Sequence, residues 1–487
     1  MQLQNLYFGK NDGKEEAAYN QNFEQYFFNY DDNYQKILQP DKFLLLGRKG
    51  SGKSMLSEYI QKKAKLSNAP WMCEIVSYKD FKFTELQILK TKDEEYPNEY
   101  TEIWHWLILI CISKMLLQDQ KLQSSSEYNS LNNFFLKNYT SIKITANKIV
   151  QITKSNEVEG GFLKDFFSLG GKHGSESISE KGSYLEYIEN LESIVLSLLS
   201  QTNTRLTLIF DELDDRFRNN VEYKSILISL LKITAKLNRQ FFSNGLDCKL
   251  ITLVRTDIMD VLNDGDLNKI CIDAGVRIDW GNSVDKFSPL MQMIYNKIRK
   301  SIKNMSGKSD NDIYYSLFPE NINGRKTEEF ILGRTFFRPR DIVTYCNFIV
   351  SDRDFSHSDR FIWFHFVQKE EDYSRYFLQE IKNELCGHYD DPVITQMFKL
   401  LAQLRKVEFE YSDVEEFYAK HHTRLFPDIE LNTTLDALYI FGAIGNKWFN
   451  EYKQRDFYSW NYRKEAEIDF DKRFVVHLGL RKALGLS

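Results

Sequence analysis

Short, uninterrupted apolar runs alternate with longer stretches whose apolar positions recur every three or four residues. The runs Phe43–Leu46, Trp71–Val76, Arg205–Phe210 and Lys249–Val254 read as strands. The first and last read as buried, and Arg205–Phe210 as a central strand buried on both faces, as in a parallel sheet. The helical stretches include Met55–Ile60 and a segment from about Glu15 to Tyr30. A third has Tyr184, Tyr187, Ile188, Leu191, Ile194, Val195 and Leu198 on one face, and a fourth has Tyr223, Ile226, Leu227, Leu230, Ile233, Leu237 and Phe241. Strands alternating with helices predict an α/β fold with a parallel sheet and ligands at the strand C-termini.

The pattern changes twice. Residues 118–183 turn polar and Ser/Asn/Gly-rich, which predicts an insertion. From about 285 the chain reads as helical: 286–304, a helix opened by Pro339, a charged stretch at 353–390, then 393–406, 412–421 and 433–442. Strand-like segments at 447–449, 457–462 and 473–476 follow, with Leu478–Leu484 as a short closing helix. Three helices followed by a hairpin is a winged-helix order. The expected organisation is a nucleotide-binding domain at 1–280 with the insertion at 118–183, a helical lid at 281–352, and a helical linker with a winged-helix domain at 353–487.

Composition narrows the class. A chain of 487 residues exceeds one hydrophobic core. The net charge of −5 gives no global case for nucleic acid, so only a local patch can make one. The six cysteines are scattered without a Cys-x-x-Cys pair, and the eight histidines show no metal spacing. Trp104–Leu117 is the most apolar run, but it is short for a bilayer and contains His105 and Lys114, so it reads as a core helix. With no signal peptide evident, a cytoplasmic protein without membrane association is expected.

The candidate chemistry begins at Gly47-Arg48-Lys49-Gly50-Ser51-Gly52-Lys53-Ser54, which fits the phosphate-binding pattern G-x-x-x-x-G-K-[ST] between a predicted strand and a predicted helix. Backbone N–H groups of such a loop surround a triphosphate, the lysine faces the β- and γ-phosphates, and the serine hydroxyl offers a ligand to Mg²⁺. Asp211-Glu212 ends an apolar strand downstream. Asp211 suits the metal side, and Glu212 suits the general base that polarises water. Capping of the next helix is the alternative, which better suits Asp214 and Asp215.

Arg255 ends another strand and is placed to meet a γ-phosphate, or else is a surface strand-end arginine. Arg338 and Arg340 lie where a lid helix starts; Arg340, just inside the helix, is preferred as a phosphate sensor, with structural ion pairing the alternative. His477 is a candidate contact to a diphosphate, with a structural role as the bland reading. Lys447, Lys453, Arg455, Arg463, Lys464, Arg473, Arg481 and Lys482 stand among aromatics near the C-terminus, but acids are interleaved with them, so a protein-facing surface competes with a nucleic-acid one.

These motifs resemble those of P-loop ATPases of the AAA-like and STAND group. GRKGSGKS is similar to their Walker A and LTLIFDELDD to their Walker B. LITLVRTD is similar to a sensor-1 strand, FFRPRDIV to a sensor-2 segment, and VVHLGL to the histidine motif by which STAND switches hold ADP. The combination also resembles stand-alone prokaryotic ATPases of anti-phage defence neighbourhoods. No trans arginine finger is identifiable, with Arg216, Arg218 and Arg239 as candidates, and no repeat array follows. The resemblance implies an ATP- and Mg²⁺-dependent switch, cycling between ATP and ADP, that controls a protein effector or works as a homo-oligomer. An ATP-dependent DNA-binding loader using the winged helix is the alternative. No guanine-reading N-K-x-D motif is present.

Overall fold

The structure, a computed structural model, describes residues 2–78, 98, 100–138, 185–213, 219–463 and 467–486. Most of the predicted insertion and the candidates Asp214, Asp215, Arg216, Arg218 and Lys464 lie outside these residues. The chain divides into two compact units: a sheet unit of Asp31–Arg48 and Lys53–Ile278, and a helical unit of Met1–Tyr30, Lys49–Gly52 and Asp279–Ser487.

The sheet unit is built on five parallel strands: β1 (Leu44–Gly47), β2 (Trp71–Ser77), β3 (Arg205–Asp211), β4 (Cys248–Arg255) and β5 (Gly275–Arg277), in the order β2-β3-β4-β1-β5. The expected mixed α/β, P-loop NTPase-like fold is what the chain adopts. Leu44, Leu45 and Leu46 are fully buried, as the uninterrupted run requires. The register aligns Gly47 with Arg255 and Ser77 with Asp211, so the chemistry-bearing residues end their strands along one edge. In open α/β sheets that edge is where ligands sit. The helix Thr101–Leu116 is buried around nearly its whole circumference, and Trp104 Nε1 donates to Ile226 O at 2.8 Å. It is therefore a core helix, and no helix among the described residues is long and apolar enough to cross a membrane.

The helical unit begins with an N-terminal arm that bonds along it: Leu3 N donates to Ser358 O, and Asn347 Nδ2 donates to Gly9 O. Its helices are Pro289–Ser301, Asp310–Leu317, Thr327–Leu332, Pro339–Val350, Trp363–Leu385, Asp391–Leu404, Tyr411–Leu425 and Leu431–Ile440. A hairpin of β6 (Asn321–Ile322) and β7 (Arg325–Lys326) interrupts them. An antiparallel sheet closes the chain, with β8 (Glu408–Phe409), β9 (Ile444–Asn450), β10 (Arg455–Ser459) and β11 (Arg473–Val476) in the order β10-β9-β11-β8.

Two local expectations need correction, and one strand was not expected. The helix expected from Glu15 to Tyr30 is split into Gly13–Tyr19 and Phe23–Tyr26. The break falls where the Asn20 side chain accepts from Asn22 N at 2.9 Å, a local bond that competes with the helical ladder. The closing helix shrinks to the 3₁₀ turn Leu478–Leu480. A fifth parallel strand, β5, was not read from the sequence. Its Gly275 is required because a Cβ there would lie 2.1 Å from Cys271 O.

Candidate functional site

Within the sheet unit, β1 delivers Gly47 and Arg48, and the helix Lys53–Leu66 starts with the two residues that carry the motif's side-chain chemistry. Lys53 Nζ donates to Gly47 O at 2.8 Å and to Arg48 O at 3.2 Å, so the ammonium is held against the loop's own carbonyls. Ser54 Oγ lies 3.3 Å from Asp211 Oδ1. The structure thus brings together two residues 157 positions apart that were assigned separately to one metal. A hydroxyl and a buried carboxylate are hard oxygen donors, the chemistry Mg²⁺ takes from protein.

Glu212 follows with φ of 59°, a left-handed conformation rare outside glycine. Its N–H donates to Asp211 Oδ1 at 2.8 Å, and its Oε2 accepts a short hydrogen bond from Ser77 Oγ. This positive-φ backbone is stored at the one position assigned to proton transfer. Ser77, at the end of β2, was missed by sequence reasoning. Its only signal was its place as the last residue of a strand next to β3. Arg255 is buried and forks onto Asp257, with Nε donating to Oδ1 at 3.0 Å and Nη2 to Oδ2. Reaching a phosphate would require it to leave that partner.

The motif's middle residues, Lys49–Gly52, group with the helical unit. Gly50 and Gly52 have φ of 78° and 105°. A Cβ at Gly50 would lie 3.1 Å from the Arg340 Cβ, so glycine serves both conformation and close approach there. Arg338 Nη1 donates to Lys49 O at 2.9 Å, Arg340 N donates to Gly50 O at 3.4 Å, and Trp280 Nε1 donates to Ser51 O at 2.9 Å. Trp280 is itself stacked on Tyr30, ring centroids 4.9 Å apart.

Of the two lid arginines, Arg338 is the buried one, at 2% exposure. Its Nε meets both carboxylate oxygens of Asp341, at 3.0 and 2.9 Å, and its Nη1 donates to Glu384. Burial opposes its charge, but Asp341 and Glu384 outweigh that and hold its pKa well above the usual arginine value. Arg340, the preferred candidate, is only partly buried. Its Nε donates to Asn11 O at 3.1 Å and its Nη1 reaches Glu380 Oε2 at 3.2 Å. Asn11, Trp280, Glu380 and Glu384 were not found from sequence, because none belongs to a spaced motif.

His477 lies in an aromatic cage of Phe336, Phe377, Trp460 and Tyr462. Its Nδ1 accepts from Gly479 N at 3.1 Å, so the proton sits on Nε2, which lies 3.2 Å from Tyr462 Oη. Both ring nitrogens therefore serve the lobe, and a contact to a diphosphate would displace one of these bonds.

Residues 288–382 match the family described as the FunZ-associated C-terminal helical domain. Over 323 residues, 63% of this chain, the sequence is 21% identical to a transposon gamma-delta 80.3 kDa protein of Escherichia coli (strain K12), and the match spans 42% of that protein's own length. A solved structure of the Aeropyrum pernix ORC1 protein in complex with DNA aligns over 96% of this chain and 92% of that one, at 8% identity and a TM-score of 0.35.

Proposed function

We propose that this chain is an ATP-binding and ATP-hydrolysing switch whose nucleotide state controls a partner. The observation that carries the reading is the meeting of Ser54 with Asp211 beside Glu212, at the C-terminal edge of a parallel sheet whose first strand feeds a complete phosphate-binding motif. The loop backbone from Gly47 to Ser54 cradles the phosphates, and Lys53 leaves its two carbonyls to meet them. Ser54 and Asp211 would hold Mg²⁺, which when bound would supply positive charge to the phosphate oxygens. Glu212 takes a proton from water as that water attacks the γ-phosphorus, and the bond to the β-phosphate oxygen breaks. In this reading Ser77 fixes the Glu212 carboxylate, and Arg255 and Arg340 supply further positive charge. His477 keeps its cage in the resting lobe and is the candidate contact for the diphosphate product.

The partner is a protein in this reading, an effector of the kind found in anti-phage defence neighbourhoods or a second copy of the chain. Two of the C-terminal cations, Lys447 and Arg473, favour that over a DNA-loading role, because acids of the same lobe engage them, as one also engages the neighbouring Lys472. Lys447 is held by Glu408 and Asp456, Lys472 by Asp469, and Arg473 by Glu410. Phosphate recognition needs such charges available for counterion exchange.

Calorimetric titration with ATP in the presence of Mg²⁺ tests the reading. The wild-type chain is expected to bind, and Lys53→Ala is expected to lose binding while keeping its circular dichroism spectrum. Equal affinity in the two proteins would remove the proposal.

A further inference from the structure

In the helical unit, two cations converge on one carboxylate oxygen. Lys49 Nζ lies 3.7 Å and Arg340 Nη1 3.2 Å from the same atom, Glu380 Oε2. Lys49 belongs to the phosphate-binding motif, and Arg340 packs against Gly50 of that motif through its Cβ and its backbone N–H. Glu380 is no surface accident: its side chain is 13% exposed, and it stands one helical turn before Glu384, which holds Arg338. The helix Trp363–Leu385 therefore turns two acids, four residues apart, toward the motif's middle residues and the arginines beside them.

Two positive groups meeting a single anionic oxygen is the arrangement a phosphate oxygen would use. We infer that Glu380 is a specificity-determining residue: its carboxylate occupies the place of an anionic phosphate oxygen on Arg340 and Lys49, and nucleotide must displace it. This rests on the nucleotide-binding reading above. The consequence is selective. A triphosphate carries the extra anionic group that competes for Arg340, so the exchange weakens ATP more than ADP. Each displacement also releases the Glu380 contact of the helix Trp363–Leu385, while Glu384 stays on the buried Arg338. Glu380 thus links γ-phosphate occupancy to that helix.

The test compares wild type, Glu380→Gln, Arg340→Gln and the double variant, titrated calorimetrically with ATP and with ADP in Mg²⁺, their folding checked by thermal melts. Glutamine keeps the length and removes the charge. Glu380→Gln is expected to tighten ATP about tenfold, equivalent to about 1.4 kcal/mol, and ADP by much less. In the Arg340→Gln background the same change is expected to have little effect. Unchanged or weaker ATP binding in Glu380→Gln overturns the inference, as does equal tightening of ATP and ADP or an undiminished gain without Arg340. Should Glu380→Gln fail to fold, Glu380→Met is measured against the same outcomes. If the wild-type chain binds no ATP, the nucleotide reading itself fails; if it binds and Glu380→Gln does not tighten, only the role of Glu380 fails.

Discussion

The two units hold their share of the phosphate-binding motif by different physics. In the sheet unit the polar groups are short and sit on strand ends whose positions are dictated by backbone ladders, or, for Ser54, on the first turn of the helix after β1. Ser54, Ser77 and Asp211 each reach their partner with one or two carbon atoms of side chain. In the helical unit the motif's middle residues are held by long side chains, and the central one, Arg338, is a buried cation shared by two carboxylates and a loop carbonyl. The first arrangement preorganises chemistry cheaply. The second puts a costly desolvated charge network beside the loop, stable only while complete. Damage to the sheet-unit site should therefore cost function with little loss of stability, and damage to the Arg338 network should cost stability first.

The largest expected effect is on folding. Arg338→Ala leaves Asp341 and Glu384 buried without their cation, and is expected to destabilise the chain by about 3–5 kcal/mol, read by chemical denaturation. A loss below about 1 kcal/mol, the range of an exposed pair, would erase the contrast between the units. By comparison Ser54→Ala is expected to leave the denaturation midpoint almost unchanged while weakening Mg²⁺-dependent nucleotide binding.

Next in size is a charge buried at a disadvantage. Burial lowers the pKa of Lys297 to about 8, despite the attraction of Glu16. Its folded pKa lies below its unfolded value, so the unfolded chain binds more protons between those two pH values. Stability from this group therefore rises with pH from about 8 towards the ordinary lysine value, and the penalty is fully present below about 8. Lys297→Met is expected to raise the melting temperature at pH 7, with a gain that shrinks by pH 10. Glu16 keeps its bonds from Tyr7 Oη, Lys10 N and Asn20 Nδ2 in that variant. The smallest effect is expected for Ser77→Ala, a few-fold change in ATP turnover with unaltered affinity, since it removes one hydrogen bond to Glu212 and leaves the strand intact.

The same contrast explains what could be read from the sequence. β1, β3 and β4 announce themselves as apolar runs, and each ends in the residue its motif requires: Gly47, Asp211 and Arg255. Local pattern sufficed there because the parallel ladder converts strand ends into neighbours. Ser77 was invisible because a serine at the end of a strand has no distinguishing composition. Glu380 and Glu384 were invisible because they meet residues tens to hundreds of positions away, and on a helix rich in charge nothing marks two glutamates out. Two short features went unread, the first despite a clear signal. Asn323-Gly324, with φ of 49° and 76°, is the two-residue turn of the β6–β7 hairpin. β8 is only two residues long and is defined by its partner β11.

The most direct measurement is ATP turnover alongside ATP affinity for Glu212→Gln, at saturating Mg²⁺. The account predicts wild-type affinity with phosphate release reduced at least about a hundredfold, because the substitution removes the proton acceptor and little else. Phosphate release at the wild-type rate would contradict it.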